Sequence, residues 1–478
     1  MGELTSKAKS GFKWTTIERI SLQVVSFVTG IIVARMVSPS DYGLIGMMTI
    51  FISLGNVILD SGFGTALIRK EERSEEDLST AFYFNTAASI VVYLIIFACA
   101  PFLASFYETD ILCVLIRVYG LILLINSLTV VQTAKLTAEL CFKSQFFANF
   151  IAIFVSGVLG IFAAYKGLGV WALVIQYLSN AIIRTVLIWT ASKWVPKMVF
   201  SKQSFKYLFG FGSKMLVTSM IDSIYDNLYN ITIGKYYSSA QVGYYTRSQQ
   251  IVRVPQDTLT QVVTKVSLPL LAPYQNDNKQ LLTAYEQIFG ISMFFLYPLL
   301  ALMIALAQPT ILFLLGEKWI TCSFYMQILS VGAIWIPLTL LNLNLIIVKG
   351  RSDIILRIDV WKKIIGVAII AITLPLGMTW VCFGTTIYAL IAFIINSHQT
   401  QKLLEYGLWK QLKVIAPTLF FSIVTGILVY LIIIPLSQQW LKLLIGGLFG
   451  FLVYFLLNFL FNRRMLNLII CTIKHEEK

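Results

Sequence analysis

Between Thr246 and Ser267, a stretch otherwise made of Ile251, Val252, Val254, Leu259, Val262, Val263 and Val266 also carries Thr246, Gln250, Arg253, Asp257, Thr260, Thr264 and Ser267, in steps of four and three. On a helix this spacing drifts by only about 20° per seven residues, so the polar groups form a single stripe. A guanidinium, a carboxylate, amides and hydroxyls in such a row bind by charge and hydrogen bonding. A charge at the centre of a bilayer costs ~2.5 to 3.5 kcal/mol, so Arg253 and Asp257 are expected to face a bundle interior or a water-filled cavity. The preceding segment repeats the theme with Lys214, Thr218, Asp222, Asp226 and Asn230 spaced four apart. That row slips by about 40° per step and winds round its helix. Its Lys214 to Asp222 part is therefore the expected lining, with Asp226 and Asn230 nearer one mouth.

The elements that position these groups follow from composition. The chain is 58% hydrophobic and only 13% charged, and its mean hydropathy is +0.79. A soluble domain carries about a quarter charged residues, so this is a polytopic membrane protein. Its apolar runs are about 20 residues long and not short and alternating, which selects helices over an outer-membrane barrel. The fold class is all-α. The formal charge of +14 reports membrane orientation first, and nucleic acid is not expected as a partner. Six scattered cysteines show no paired spacing, so neither a disulfide frame nor a metal site is indicated. The basic start is followed by Glu18 and Arg19 where a signal peptide would be apolar, so the N-terminus is expected to be retained and cytoplasmic.

Apolar segments fall at roughly 14–37, 41–68, 79–105, 110–134, 142–165, 168–192, 205–236, 241–270, 283–308, 319–347, 353–374, 377–401, 411–435 and 439–461, fourteen in all. With that count, 26 of the 37 Lys and Arg residues fall in one set of loops and ends and five in the opposite set. The bias predicts cytoplasmic termini. The six left over, Arg19, Arg117, Arg184, Lys214, Arg247 and Arg253, lie within or near the membrane. For Arg117 and Arg184 the simple reading is a side chain snorkelling to an interface.

Sliding the chain by 200 residues places Val37-Ser38-Pro39-Ser40-Asp41-Tyr42-Gly43 on Tyr237-Ser238-Ser239-Ala240-Gln241-Val242-Gly243, and Arg35 on Lys235. Six spans precede each second copy, so the two halves enter the membrane in the same orientation as parallel repeats, with substrate expected between them near the midplane. The expected division is a lobe over 1–200, a second over 201–405, and two further helices with a tail over 406–478. Proline ends one helix at the Ser38–Gly43 turn, and Ser40 or Asp41 can cap the next. Pro255 removes a backbone donor beside Arg253 and predicts a kink. Asp60 places another carboxylate deep in the second segment, among Gly43, Gly46, Gly55, Gly62 and Gly64.

Pro39-Ser40-Asp41-Tyr42-Gly43, the run from Asp60 to Lys70, Gly169-Val170-Trp171-Ala172-Leu173-Val174 and Gly243-Tyr244-Tyr245-Thr246-Arg247 resemble the Wzx-type polysaccharide flippases. Leu315-Gly316-Glu317-Lys318-Trp319, Asn342-Leu343-Asn344-Leu345 and Gly350-Arg351-Ser352-Asp353 resemble the branch that contains colanic-acid and teichuronic-acid exporters. The likeness runs over most of positions 5 to 405, and the order of the short motifs makes it specific. The implied MOP superfamily also holds lipid II flippases and multidrug antiporters, and implies two six-helix lobes around a central cavity. The implied substrate is an undecaprenyl-diphosphate-linked oligosaccharide repeat unit, turned from the cytoplasmic to the outer leaflet of the bacterial inner membrane for lipopolysaccharide or exopolysaccharide synthesis.

Such a substrate needs cations for its phosphates and polar groups for its sugars. Arg253, Lys214, Arg19 and Arg247 are the candidate cations, with Gln250, Gln249, Gln256, Tyr225 and Tyr229 for the sugars. Each cation also has a structural reading: Arg19 paired with Glu18, Arg247 at the outer interface, Arg253 paired with Asp257. Asp60, Asp222, Asp226 and Asp257 are candidates to bind a coupling proton or sodium ion, or else only neutralise nearby cations. No cofactor is expected. The protein is expected to act as a monomer, with a polysaccharide polymerase and glycosyltransferases as candidate partners. A drug or small-solute antiporter is the first alternative; it would favour an acidic, aromatic pocket. An integral membrane enzyme of polysaccharide assembly is the second. Against it, the loops are short, the two histidines, His398 and His475, lie near helix ends or in a tail, and no nucleotide-cradling loop is present. Catalytic residues are accordingly not assigned.

Overall fold

A computed structural model describes residues 2–60, 62–70, 72–463 and 465–466, with the backbone alone at 2–13, 15–16, 60, 211, 214, 215 and 262. The side chains of Asp60 and Lys214 thus lie outside the described residues. The chain is all-α. It forms two compact units, Met1–Gly243 and Tyr244–Lys478. The first contains α1 (Gly2–Met36), α2 (Pro39–Asp60), α3 (Phe63–Arg69), α4 (Glu75–Phe106), α5 (Ile111–Tyr119), α6 (Leu121–Ser127), α7 (Val130–Ala138), α8 (Phe142–Tyr165), α9 (Val170–Ser192), α10 (Lys202–Tyr236) and the start of α11 (Ser239–Leu271). The rest of α11 opens the second unit. It continues with α12 (Asn278–Ala305), α13 (Ala307–Leu314), α14 (Thr321–Ala333), α15 (Ile336–Val348), α16 (Ser352–Thr373), α17 (Met378–Leu404), α18 (Leu408–Ile433) and α19 (Gln439–Phe461).

Among the described residues, 11 helical stretches are long and apolar enough to cross a membrane. The other three expected spans are helical too, as α10, α11 and α16, but charges keep them from meeting that apolar standard. The faces that the bundles leave uncovered suit lipid: on α4 alone Ile90, Val91, Leu94, Ile95 and Phe102 are exposed. In water such a patch would be an association site, whereas hydrocarbon leaves it without penalty.

In unit 1 the second expected segment is two helices. Gly62 adopts φ +68°, and a Cβ there would lie 2.7 Å from the Gly212 Cα. Only glycine takes that backbone geometry at that distance without strain, so α2 stops and α3 starts afresh. The next helix begins with a capping box, in which the Ser74 side chain accepts from the Asp77 N–H and Asp77 accepts from the Ser74 N–H. Phe63, Leu67, Leu78, Phe82, Val131 and Leu208 close the core around this junction.

The two turns related by the 200-residue shift lie against each other within unit 1. A Cβ on Gly43 would meet the Ser239 carbonyl oxygen at 1.6 Å, and one on Gly243 would meet the Pro39 carbonyl oxygen at 2.0 Å. Position 43 meets 239 as 243 meets 39, the reciprocal contact of two copies about a local two-fold. Both positions need glycine because any side chain would displace backbone.

Unit 2 has its core where α12, α15, α17 and α18 meet, at Tyr285, Phe289, Met293, Leu338, Leu341, Phe393 and Ile415. Thus α18, although outside the repeat, is built into this core. Its Gln411 is fully buried among Asn342, Ser397 and Thr400.

Candidate functional site

Helix α11 is fixed along one edge and open along another. Tyr245, Ser248, Val252, Gln256, Val263 and Ser267 are buried. Ser248 Oγ donates to the Cys322 carbonyl at 3.0 Å, and Asn344 Nδ2 donates to Ser267 Oγ at 2.6 Å. Gln250, Arg253, Asp257 and Thr264 are exposed, and Thr246 and Thr260 half-buried. The polar stripe expected from the sequence is therefore open from Thr246 to Thr264, but Ser267 leaves it for the packed edge. The cause is the drift of about 20° per seven residues, which has turned the row by about 60° after three heptads. Arg247 donates from Nη1 to Gln250 Oε1 at 2.7 Å, so those two act together.

Arg253 and Asp257 stand one turn apart on the open edge. Among the described residues no ion pair within 4.0 Å joins them, and neither makes a hydrogen bond. The pairing of Arg253 with Asp257 that the sequence allows is thus not a direct ion pair here. α11 runs unbroken from Ser239 to Leu271 through both Pro255 and Pro269.

On α10, Thr218 and Asp226 are exposed, and Asp222 and Asn230 are half-buried. The buried edge is Ser223 and Asn227, which sequence reasoning passed over. Ser223 Oγ lies 2.9 Å from Ser53 Oγ, and Asn227 Nδ2 donates to Ser53 Oγ at 3.0 Å. This edge holds α10 to α2 and leaves Asp222 and Asp226 directed elsewhere. On α1, Arg19 is exposed, while Glu18 accepts from Asn149 Nδ2 of α8 at 2.6 Å.

That bond leads to a pocket inside unit 1 with a largely apolar wall and a few polar groups. Asn149 Oδ1 accepts from Arg184 Nε of α9 at 2.9 Å. Arg184 is thus held by a partner within the protein. It lines a cavity of about 380 Å³ together with Asn56, Leu59, Gly64, Thr65, Ile68, Asn126, Thr129, Val130, Thr133, Ala134 and Thr137. Asn126 Nδ2 donates to Asn56 Oδ1 at 3.3 Å. Thr133 Oγ1 is sealed from solvent without a hydrogen-bond partner. The signal was in the sequence: Asn126, Thr129, Thr133 and Thr137 recur in steps of three and four, the same rule that exposed the stripe on α11. Breaks at Gly120 and Thr129 divide this span into α5, α6 and α7, which hid it as one apolar run.

Residues 32–324 match the family model described as polysaccharide biosynthesis protein. The chain is similar to the teichuronic acid biosynthesis protein TuaB of Bacillus subtilis strain 168, 25% identical over 360 residues that cover 74% of each chain. It is also similar to the lipopolysaccharide biosynthesis protein WzxC of Escherichia coli K12, 23% identical over 89% of this chain and 88% of that one. In structure it is similar to the lipid II flippase MurJ in an inward closed conformation, with a TM-score of 0.76 and 15% identity, covering 94% of this chain and 99% of the other. That likeness shows a shared fold. Because the family model covers more than half of the sequence, from the end of α1 into α14, the chain belongs to the polysaccharide biosynthesis protein family.

Proposed function

We propose that the protein is a flippase which moves oligosaccharide repeat units, carried on undecaprenyl diphosphate, from the cytoplasmic to the outer leaflet, and that it is a transporter without catalytic residues. The observation that carries this reading is the open polar edge of α11, an exposed guanidinium and carboxylate on a helix set among membrane-crossing ones, in a member of this family. Arg253, with Arg247 and Gln250, binds the diphosphate or an acidic sugar. Arg19 and Lys214 are the cations of unit 1 assigned the same task. Asp60, Asp222, Asp226 and Asp257 are the carboxylates available to a coupling proton or sodium ion. The mutually packed turns at Gly43 and Gly243 support a repeat division into lobes at 1–200 and 201–405, with 406–478 added. The basic bias of the loops supports an orientation in the bacterial cytoplasmic membrane with both ends cytoplasmic, and the protein is taken to act as a monomer. A polymerase and glycosyltransferases of the same pathway are its proposed partners.

Deletion should strand lipid-linked repeat units on the cytoplasmic leaflet and remove a surface polysaccharide. Arg253→Ala should reduce transport by tenfold or more, about the effect of one charge-assisted contact, while the protein remains inserted and abundant. Arg253→Lys should recover only part of it, because the planar fork is lost. Normal transport by Arg253→Ala combined with Asp257→Ala would make Arg253 structural and sink the assignment. A deletion strain with normal polysaccharide and new drug sensitivity would favour an antiporter.

A further inference from the structure

The pocket of unit 1 is a second binding site. We propose that it takes a hydroxylated anion, namely a uronate or a phosphorylated sugar residue of the transported oligosaccharide; this rests on the flippase reading. Arg184 uses one of its five N–H donors, Nε, on Asn149, and Glu18 fixes that amide from behind. Among the described residues the terminal nitrogens have no hydrogen-bond partner, so the guanidinium presents a held, two-pronged donor, the geometry that carboxylates and phosphates accept in pairs. Arg184 is the one charged residue among those that line the cavity, with the Glu18 carboxylate set behind Asn149, so the charge presented to a guest is positive.

The other walls fit a sugar and not a bare ion. Thr133 offers a hydroxyl with no partner, and Asn126 and Asn56 hold each other at only 3.3 Å, a contact that a ligand hydroxyl can replace. Leu59, Ile68, Val130 and Ala134 supply the apolar surface on which the C–H face of a pyranose rests. At about 380 Å³ the cavity lies in the range of small-molecule sites, large enough to take a sugar ring. Arg184 is the binding residue, and Asn149 and Glu18 are positioning residues that act through it.

The test is ligand-observed saturation-transfer NMR on the full chain in detergent, with D-glucuronate, D-glucose 1-phosphate and D-glucose as probes. One of the two anions should bind about tenfold more tightly than glucose, and which one does so identifies carboxylate or phosphate as the charge. Arg184→Gln should abolish that preference and Arg184→Lys should retain part of it. Arg117→Gln, which alters a guanidinium stacked on the Phe97 ring at 4.3 Å, should leave it unchanged. If Arg184→Gln does not fold, Thr133→Val and Arg184→Lys decide, each with a loss of about threefold. Equal binding of all three probes by the wild type, or an undiminished preference in the Arg184 and Thr133 variants, overturns the proposal. Anion binding that depends on Arg184, in a protein whose deletion leaves polysaccharide intact, would instead retire the flippase reading and keep the site.

Discussion

Two polar clusters, one in each unit, use nearly the same residue types and end in opposite states. In unit 2, Asn342 Nδ2 donates to the Leu338 carbonyl and to Gln411 Oε1, while its Oδ1 accepts from Thr400 and from Gln411 Nε2. Gln411 adds a donation to the Tyr406 carbonyl and accepts from Ser397. An amide has two donors and two acceptor positions, so both side chains are saturated, with no exposed surface left. In unit 1, Thr133 has no partner, Asn126 and Asn56 share one long contact, and Arg184 keeps its terminal nitrogens unbonded beside an open volume. A network with every valence filled holds helices together. One with donors left over beside an open volume has room for a ligand. Residue type alone therefore does not separate the two clusters; open donors that border a cavity do.

The comparison breaks most visibly at Gln411. Gln411→Leu strips two partners from Asn342 and one each from Ser397 and the Tyr406 carbonyl, and should lower stability by about 3 kcal/mol or more, read as a fall in Tm in detergent. Adding Asn342→Leu should return most of that loss, since removing both sides of a buried bond is far cheaper than removing one. An unchanged Tm in the single variant would mean that saturation is not what holds α15, α17 and α18 together.

Threonine to valine, a nearly isosteric exchange that deletes only the hydroxyl, sharpens the contrast. Thr400→Val removes a 2.7 Å donation to Asn342 Oδ1 and should cost about 1 to 2 kcal/mol. Thr133→Val removes a sealed hydroxyl that pairs with nothing and should leave stability unchanged or raise it by up to about 1 kcal/mol, read as an unchanged or higher Tm. Equal losses at the two positions would show that Thr133 is already satisfied in solution, by water, and the pocket would lose one of its arguments.

Much of this was legible in the residues. Apolar runs of spanning length gave the helices. The shift of 200 residues located Gly43 and Gly243 before either was seen to abut the other's turn. On α11, Gln250, Arg253, Asp257 and Thr264 are exposed as a row, whereas Thr246 and Thr260 are half-buried. What escaped was partner choice. Ser267 belongs to Asn344, Glu18 to Asn149, and Arg184 to Asn149 and the pocket beside it. Each partner lies tens of residues or more away in sequence, on a helix whose rotation no local pattern encodes.

The sequence by itself determined that the chain is helical, embedded in a membrane and provided with polar groups too costly to face lipid, because those properties depend on the local balance of apolar and charged residues. Only the tertiary structure decided which of those groups are spent on one another and which remain open. A hydrogen bond is filled by whatever atom stands within about 3 Å along its axis, and that is fixed by how separate helices turn and pack.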